Sequence, residues 1–173
     1  MIKMKKKIRT TLLVLTLTIF SFFSFAQSVP AELETNIIDL NNPEYANTTF
    51  DDIIAKYEGK VIYLDFWASW CGPCKREMPY SHKLQEIFLG KDVVFVYFSS
   101  DKNAAAWSST VDNLKLTGEH YLSSLAVKRE YGTRFNVRFI PRYVLIDKKG
   151  NVVDENAKRP SDPGTVQDIE ALL

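Results

Sequence analysis

The stretch Val61-Ile62-Tyr63-Leu64-Asp65-Phe66, running at once into Trp67-Ala68-Ser69-Trp70-Cys71-Gly72-Pro73-Cys74, decides the fold. Its first six residues are apolar except for Asp65 and show no alternation, which predicts a strand buried on both faces. From Cys71 to about Leu89 the pattern predicts a helix, with Tyr80, Leu84, Ile87 and Phe88 on one stripe, Pro79 as a kink and Gly90 as the stop. A buried strand leading directly into a helix is the repeating unit of a sheet covered by helices. The chain's only two cysteines stand at the turn between them.

Working outward, further buried strands are expected at Val93 to Phe98 and Tyr143 to Ile146, and Lys148-Lys149-Gly150 turns the latter into Val152-Val153. Upstream, residues 27–47 read as an extended lead-in with an edge strand at Ile37 to Leu40. Thr49 and Asp52 form a capping-box pattern ahead of Phe50, Ile53, Ile54 and Tyr57, a two-turn helix ending at Gly59. Residues 103–114 are expected to be helical, His120-Tyr121-Leu122 a short strand, and Leu125 to Tyr131 a helix stopped by Gly132. Asp162 as N-cap, with Pro163 at the first helical position, opens a last helix turning Val166, Ile169, Leu172 and Leu173 inward. The class is therefore α/β, a central mixed β-sheet flanked by helices on both faces, in one domain over residues 27–173.

Charge and hydropathy divide the 173 residues differently. Lys3, Lys5, Lys6, Lys7 and Arg9 precede the apolar run 11–25, and Ser24-Phe25-Ala26 places small residues before Gln27. This is the three-part pattern of a secretory signal peptide over residues 1–26, cleaved at Ala26-Gln27. The apolar run is shorter than the about 20 residues that span a bilayer, so stable membrane insertion after cleavage is not expected; the alternative is an anchor formed by the uncleaved segment. Without residues 1–26 the body carries 17 basic against 21 acidic residues, a net −4. That balance argues against nucleic acid, which needs clustered cations. Export, to a bacterial periplasm in this reading, puts the cysteines in an oxidising compartment.

A C-x-x-C string at the junction of a buried strand and a helix suggests redox chemistry. Unpaired amides and the positive dipole end at a helix N-terminus stabilise a thiolate, making Cys71, as the exposed first cysteine, the nucleophile. Cys74, nearly one turn later on the same side, is placed to resolve a mixed disulfide, and Gly72 and Pro73 shape the turn between them. A disulfide closing so short a loop would stabilise little. Zinc would need two further ligands, and His82 and His120 fit no finger spacing. His82, about 12 Å along the helix from Cys74, reads as a surface residue, whereas Trp67 and Trp107 read as core. Metal is thus assigned no site, and the alternative function retained is a copper-binding or delivery module using the two thiolates alone. Asp65, a lone carboxylate in an apolar strand, is expected to have a raised pKa and to take the proton of Cys74 during resolution.

The segment from Asp65 to Lys75 resembles the active-site segment of thioredoxins, and Lys75-Arg76-Glu77-Met78-Pro79 resembles the K-x-E-x-P extension of exported thiol-disulfide oxidoreductases of the TlpA/ResA type. Phe139-Ile140-Pro141-Arg142, leading into the strand at Tyr143, is similar to the cis-proline loop of that family. The resemblance implies a thioredoxin-like fold with an N-terminal extension and an inserted strand-helix segment at about Ser99 to Ser124. It further implies that Cys71 attacks, Cys74 resolves, Asp65 handles protons, Pro141 is cis, and Trp70, Gly72, Pro73, Ile140 and Pro141 form the substrate-binding surface. Phe139 stands where thioredoxins usually have glycine. The implied function is exchange of the Cys71/Cys74 dithiol with disulfides of exported proteins, as a reductant in envelope thiol reduction or cytochrome c maturation. A membrane electron donor would supply the electrons, and no cofactor is needed beyond the redox-active Cys71–Cys74 disulfide.

Overall fold

Six strands form one sheet in the order β1-β4-β3-β2-β5-β6: β1 (Thr35–Asp39), β2 (Val61–Trp67), β3 (Val93–Ser99), β4 (Gly118–Leu122), β5 (Arg142–Ile146) and β6 (Val152–Asp154). The computed structural model describes residues 33–173; the signal-peptide reading of residues 1–26 lies outside them. Strands β1 to β4 are mutually parallel, β5 runs antiparallel to β2, and β6 runs antiparallel to β5. Parallel neighbours require crossover connections, supplied by α1 (Phe50–Ala55), α2 (Gly72–Ile87) and α3 (Ala104–Asn113); α4 (Leu125–Arg134) leads to β5, and α5 (Thr165–Glu170) closes the chain.

The composition of β2 follows from its place in the middle. Val61, Tyr63 and Trp67 join the core shared with α2, α3 and α5. Ile62, Leu64 and Phe66 join the opposite core with α1 and α4. Both faces are dry, so alternation is absent. On the second face Phe50 packs against Phe98, Tyr131 and Phe135 with ring centroids 5.3, 6.2 and 5.7 Å apart. The insertion lies at the other side of β3 as α3 followed by β4, which carries the edge strand β1.

The capping box at α1 is formed: Thr49 Oγ1 accepts from the Asp52 amide at 3.1 Å, and the Asp52 carboxylate accepts from the Thr49 amide at 2.9 Å. Replacing Thr49 by alanine is expected to cost about 1 kcal/mol, read as a lower denaturant midpoint at unchanged slope; an unchanged midpoint would show that packing of Phe50 alone fixes the helix start.

Local details depart from the sequence expectations. Helix α1 stops at Ala55, and turns carry the chain to Gly59 at φ 85°. Tyr80 and Ile87 of α2 remain 46 % and 47 % exposed. The buried face instead holds Cys74, Glu77, Met78, Ser81, Leu84 and Gln85, because its polar members find partners in the fold. Helix α4 continues through Gly132 to Arg134, capped at its start by Ser124. Helix α5 starts at Thr165, since Asp162 accepts from the Gly164 amide at 2.8 Å in a turn before the helix. Ile169 is buried there and Leu173 is exposed.

Candidate active site

Beyond the end of β2, Ala68, Ser69 and Trp70 carry the chain across to α2. Asp101, just after β3, holds this loop: its carboxylate accepts from the Ser69 amide at 2.8 Å, Ser69 Oγ at 2.7 Å and Ser99 Oγ at 2.6 Å. Nothing local to the cysteines pointed to Asp101; an acidic residue ending a buried strand was the only trace in the sequence. Trp70 is left 68 % exposed beside the cysteines.

Cys71 is the N-cap of α2, with extended backbone at φ −81° and ψ 99°, and its Sγ accepts from the Cys74 amide at 3.2 Å. Gly72 and Pro73 form the first two helical positions, where the missing proline amide leaves no intrahelical bond unmade. A disulfide joins Cys71 and Cys74, with Cα atoms 5.3 Å apart. Cys71 is 4 % exposed and Cys74 is fully buried. The expected exposure of the first cysteine is therefore not found in this disulfide state, in which its sulfur is bonded to buried Cys74 and accepts from the Cys74 amide. The Ile140–Pro141 peptide bond is cis. Ile140 packs against both cores, and Ile140 and Trp70 line one groove.

Beneath α2 the register places four titratable side chains side by side on one face of the sheet: Tyr143 on β5, Asp65 on β2, Tyr97 on β3 and His120 on β4. Asp65 is 1 % exposed, and neither carboxylate oxygen has a hydrogen-bond partner. Burial pushes its pKa well above the usual carboxylate range, and the nearby Glu77 carboxylate adds to the rise. No cation is among the groups acting on it. Tyr97 is itself engaged, with its hydroxyl 2.5 Å from Ser81 Oγ and accepting from Gln85 Nε2 at 2.9 Å. His120 stacks on Tyr97 at 4.4 Å, and burial lowers its pKa to about 4, partly opposed by a bond to the Thr117 carbonyl.

Glu77, one turn beyond Cys74, accepts from Ser161 N at 3.0 Å and Ser161 Oγ at 3.1 Å, tying α2 to the segment before α5. The K-x-E-x-P likeness contained this residue, yet its bond to a serine 84 positions away depends on the fold. His82 lies on the exposed side of α2 and pairs with Glu86 at 3.5 Å. Trp67 and Trp107 are core residues. Among the described residues no group of three or more His, Cys, Asp or Glu side chains is placed to share a metal ion.

The Redoxin family matches residues 46–173, most of the chain. The chain belongs to the Redoxin family. Within this Redoxin setting, it is 28 % identical over 140 residues to the thiol-disulfide oxidoreductase ResA of Bacillus cereus strain ZK, covering 77 % of each chain. A solved structure of a candidate thiol-disulfide oxidoreductase from Bacteroides vulgatus is similar at TM-score 0.62 and 37 % identity, covering 69 % of this chain and 82 % of that one. A candidate thiol:disulfide interchange protein DsbE from Chlorobium tepidum is similar at TM-score 0.56 and 26 % identity, over 69 % and 81 % of the two chains. The fold is thioredoxin-like, and the Redoxin domain with its close cysteine pair is that of a protein thiol-disulfide oxidoreductase of the ResA/DsbE type.

Proposed function

We propose that this oxidoreductase is exported and acts as a reductant on disulfides of other exported proteins, in envelope thiol reduction or cytochrome c maturation. The observation that carries the reading is the Cys71–Cys74 pair at the start of α2, with the buried, unpartnered Asp65 carboxyl on the sheet face that the helix covers. The basic and apolar N-terminus supports export, and the Gly-Pro dipeptide supports the reducing direction by its likeness to thioredoxins.

In this mechanism the Cys71 thiolate attacks one sulfur of a client disulfide. A mixed disulfide forms, and the other client sulfur leaves as a thiolate that takes a proton from solvent. Cys74 then gives its proton to Asp65 and attacks Cys71 Sγ, releasing the second client thiolate. Two electrons pass to the client, which ends as a dithiol while Cys71–Cys74 ends as a disulfide. A dithiol on a membrane partner reverses these steps to recharge the pair, with Asp65 returning its proton as Cys74 leaves. Burial suits Asp65 to this task, since it favours the protonated acid when the cysteines are joined.

The test is insulin reduction with dithiothreitol as electron source, in which the protein is expected to accelerate precipitation catalytically. No acceleration, or full acceleration by Cys71→Ser, would sink the enzyme reading. Direction is read from the equilibrium potential against glutathione: a value near that of thioredoxin, about −270 mV, supports a reductant, and one near about −120 mV reverses the assignment.

A further inference from the structure

An open groove of about 270 Å³ runs from Trp70, the residue before Cys71, between the loop ending at Ile140 and helix α4. It is smaller than the about 300–1,000 Å³ of pockets that enclose small molecules, and suits one or two side chains of a docking polypeptide. Trp70 at 68 % exposure and Phe139 at 85 % stand at its wall, two large apolar groups left in water, the first adjoining Cys71 in the chain. Such exposure marks contact surfaces, and aromatic anchors dominate them.

The charge around the groove is one-sided. Lys128 and Arg138 line it, and no carboxylate does. On the described body Lys91, Arg134, Lys148 and Lys158 pair with Glu170, Asp51, Asp92 and Asp168, while the other lysines and arginines, those of the groove among them, have no such partner. Lys128 reaches only the Ser100 carbonyl at 3.5 Å, and Arg138 donates to Asn136 Oδ1 at 2.9 Å. On a body of net charge −4 after residues 1–26, this groove thus presents two cations and no carboxylate beside its exposed aromatics.

We infer that this groove selects its partners, taking polypeptide segments that present an apolar side chain flanked by Asp or Glu next to the target disulfide. The inference rests on the protein-disulfide reading above and adds the substrate class. The apolar residue packs between Trp70 and Phe139, while the flanking carboxylates meet Lys128 and Arg138. Exposed charges of this kind act chiefly on encounter and register and are weakened by salt.

Two cystine peptides of equal length test it, each with a central leucine, one flanked by glutamates and the other by lysines. With the reduced full-length protein, kcat/KM is expected to be about five- to tenfold higher for the acidic peptide, the scale of two rim charge contacts. The ratio should collapse in 0.5 M salt and fall below one in Lys128→Glu/Arg138→Glu. Taken within each variant, it cancels changes in intrinsic sulfur reactivity. A ratio near one, or a ratio unmoved by the double reversal or by the milder Lys128→Gln/Arg138→Gln, overturns the inference. Serine versions of both peptides, labelled and followed by fluorescence anisotropy on the oxidised protein, decide the groove without turnover: tighter acidic binding lost on charge reversal supports it, and equal binding refutes it. Hydroxyethyl disulfide separates the underlying reading, because failure to reduce this small neutral disulfide counts against the reductase and leaves the anisotropy result to judge the groove.

Discussion

With Cys74 replaced by serine, client turnover is expected to fall by about 10³-fold or more, while a covalent adduct accumulates on Cys71. The asymmetry comes from placement. Cys71 caps α2, where free amides and the helix dipole favour its thiolate, and its Sγ already accepts from the Cys74 amide. Cys74 is fully buried and cannot meet a client before Cys71 does. In Cys74→Ser the first exchange still proceeds, but a hydroxyl is far too weak an acid to displace the client from Cys71. In Cys71→Ser neither step is available, so activity and adduct are both lost. Mass spectrometry under non-reducing conditions checks the difference: an adduct mass removable by dithiothreitol should appear with Cys74→Ser only. Trapping by Cys71→Ser instead would exchange the two roles.

The sequence exposed those parts of the site whose causes are local. A strand without alternation meant two dry faces, and β2 indeed divides Val61, Tyr63 and Trp67 from Ile62, Leu64 and Phe66 between two cores. A cysteine at a strand-to-helix junction meant a helix N-terminus, where Cys71 stands as the N-cap, and a proline before a strand, read through its family likeness, meant the cis bond found at Ile140–Pro141. What stayed hidden depends on pairing across the fold. The apolar stripe of α2 misled because Glu77, Ser81 and Gln85 are buried too, each satisfied by a distant partner: Ser161, Tyr97 and the Thr117 carbonyl. The row Tyr143, Asp65, Tyr97 and His120 exists only through strand register, and a shift of one residue would turn every member to the other face. Asp101 and the carboxylate-free groove cations are likewise invisible until loops and helices meet.

Asp65→Asn should make the oxidised protein more stable and the enzyme slower. Burial raises the Asp65 pKa in the folded state, so above about pH 4 the folded protein holds a proton that the unfolded chain releases, and stability falls as pH rises until Asp65 itself ionises. His120 works in the opposite sense. Its folded pKa of about 4 lies below its ordinary value of 6.5, so the folded protein binds fewer protons in that window and stability rises with pH. Each slope approaches about 1.4 kcal/mol per pH unit. The two contributions oppose one another above about pH 4, the upward slope from His120 ending near pH 6.5 and the downward slope from Asp65 ending where the buried carboxyl ionises. Asparagine removes that slope while leaving a similar unpartnered polar group in place. The variant's advantage should therefore grow as pH rises above about 4, and its own stability should climb to about pH 6.5 and then level off as far as these two groups govern it. Denaturant titrations of both oxidised proteins from pH 4.5 to 8.5 measure the difference, and a difference independent of pH would mean that Asp65 ionises freely in the fold. Turnover should move the other way, by about 10²-fold, the lower range for loss of a positioned proton acceptor. A buried acid that lowers stability across the physiological range, in a row where no cation offsets it, is a cost that packing alone does not explain, and exchange of its proton with Cys74 is the chemistry that would retain it.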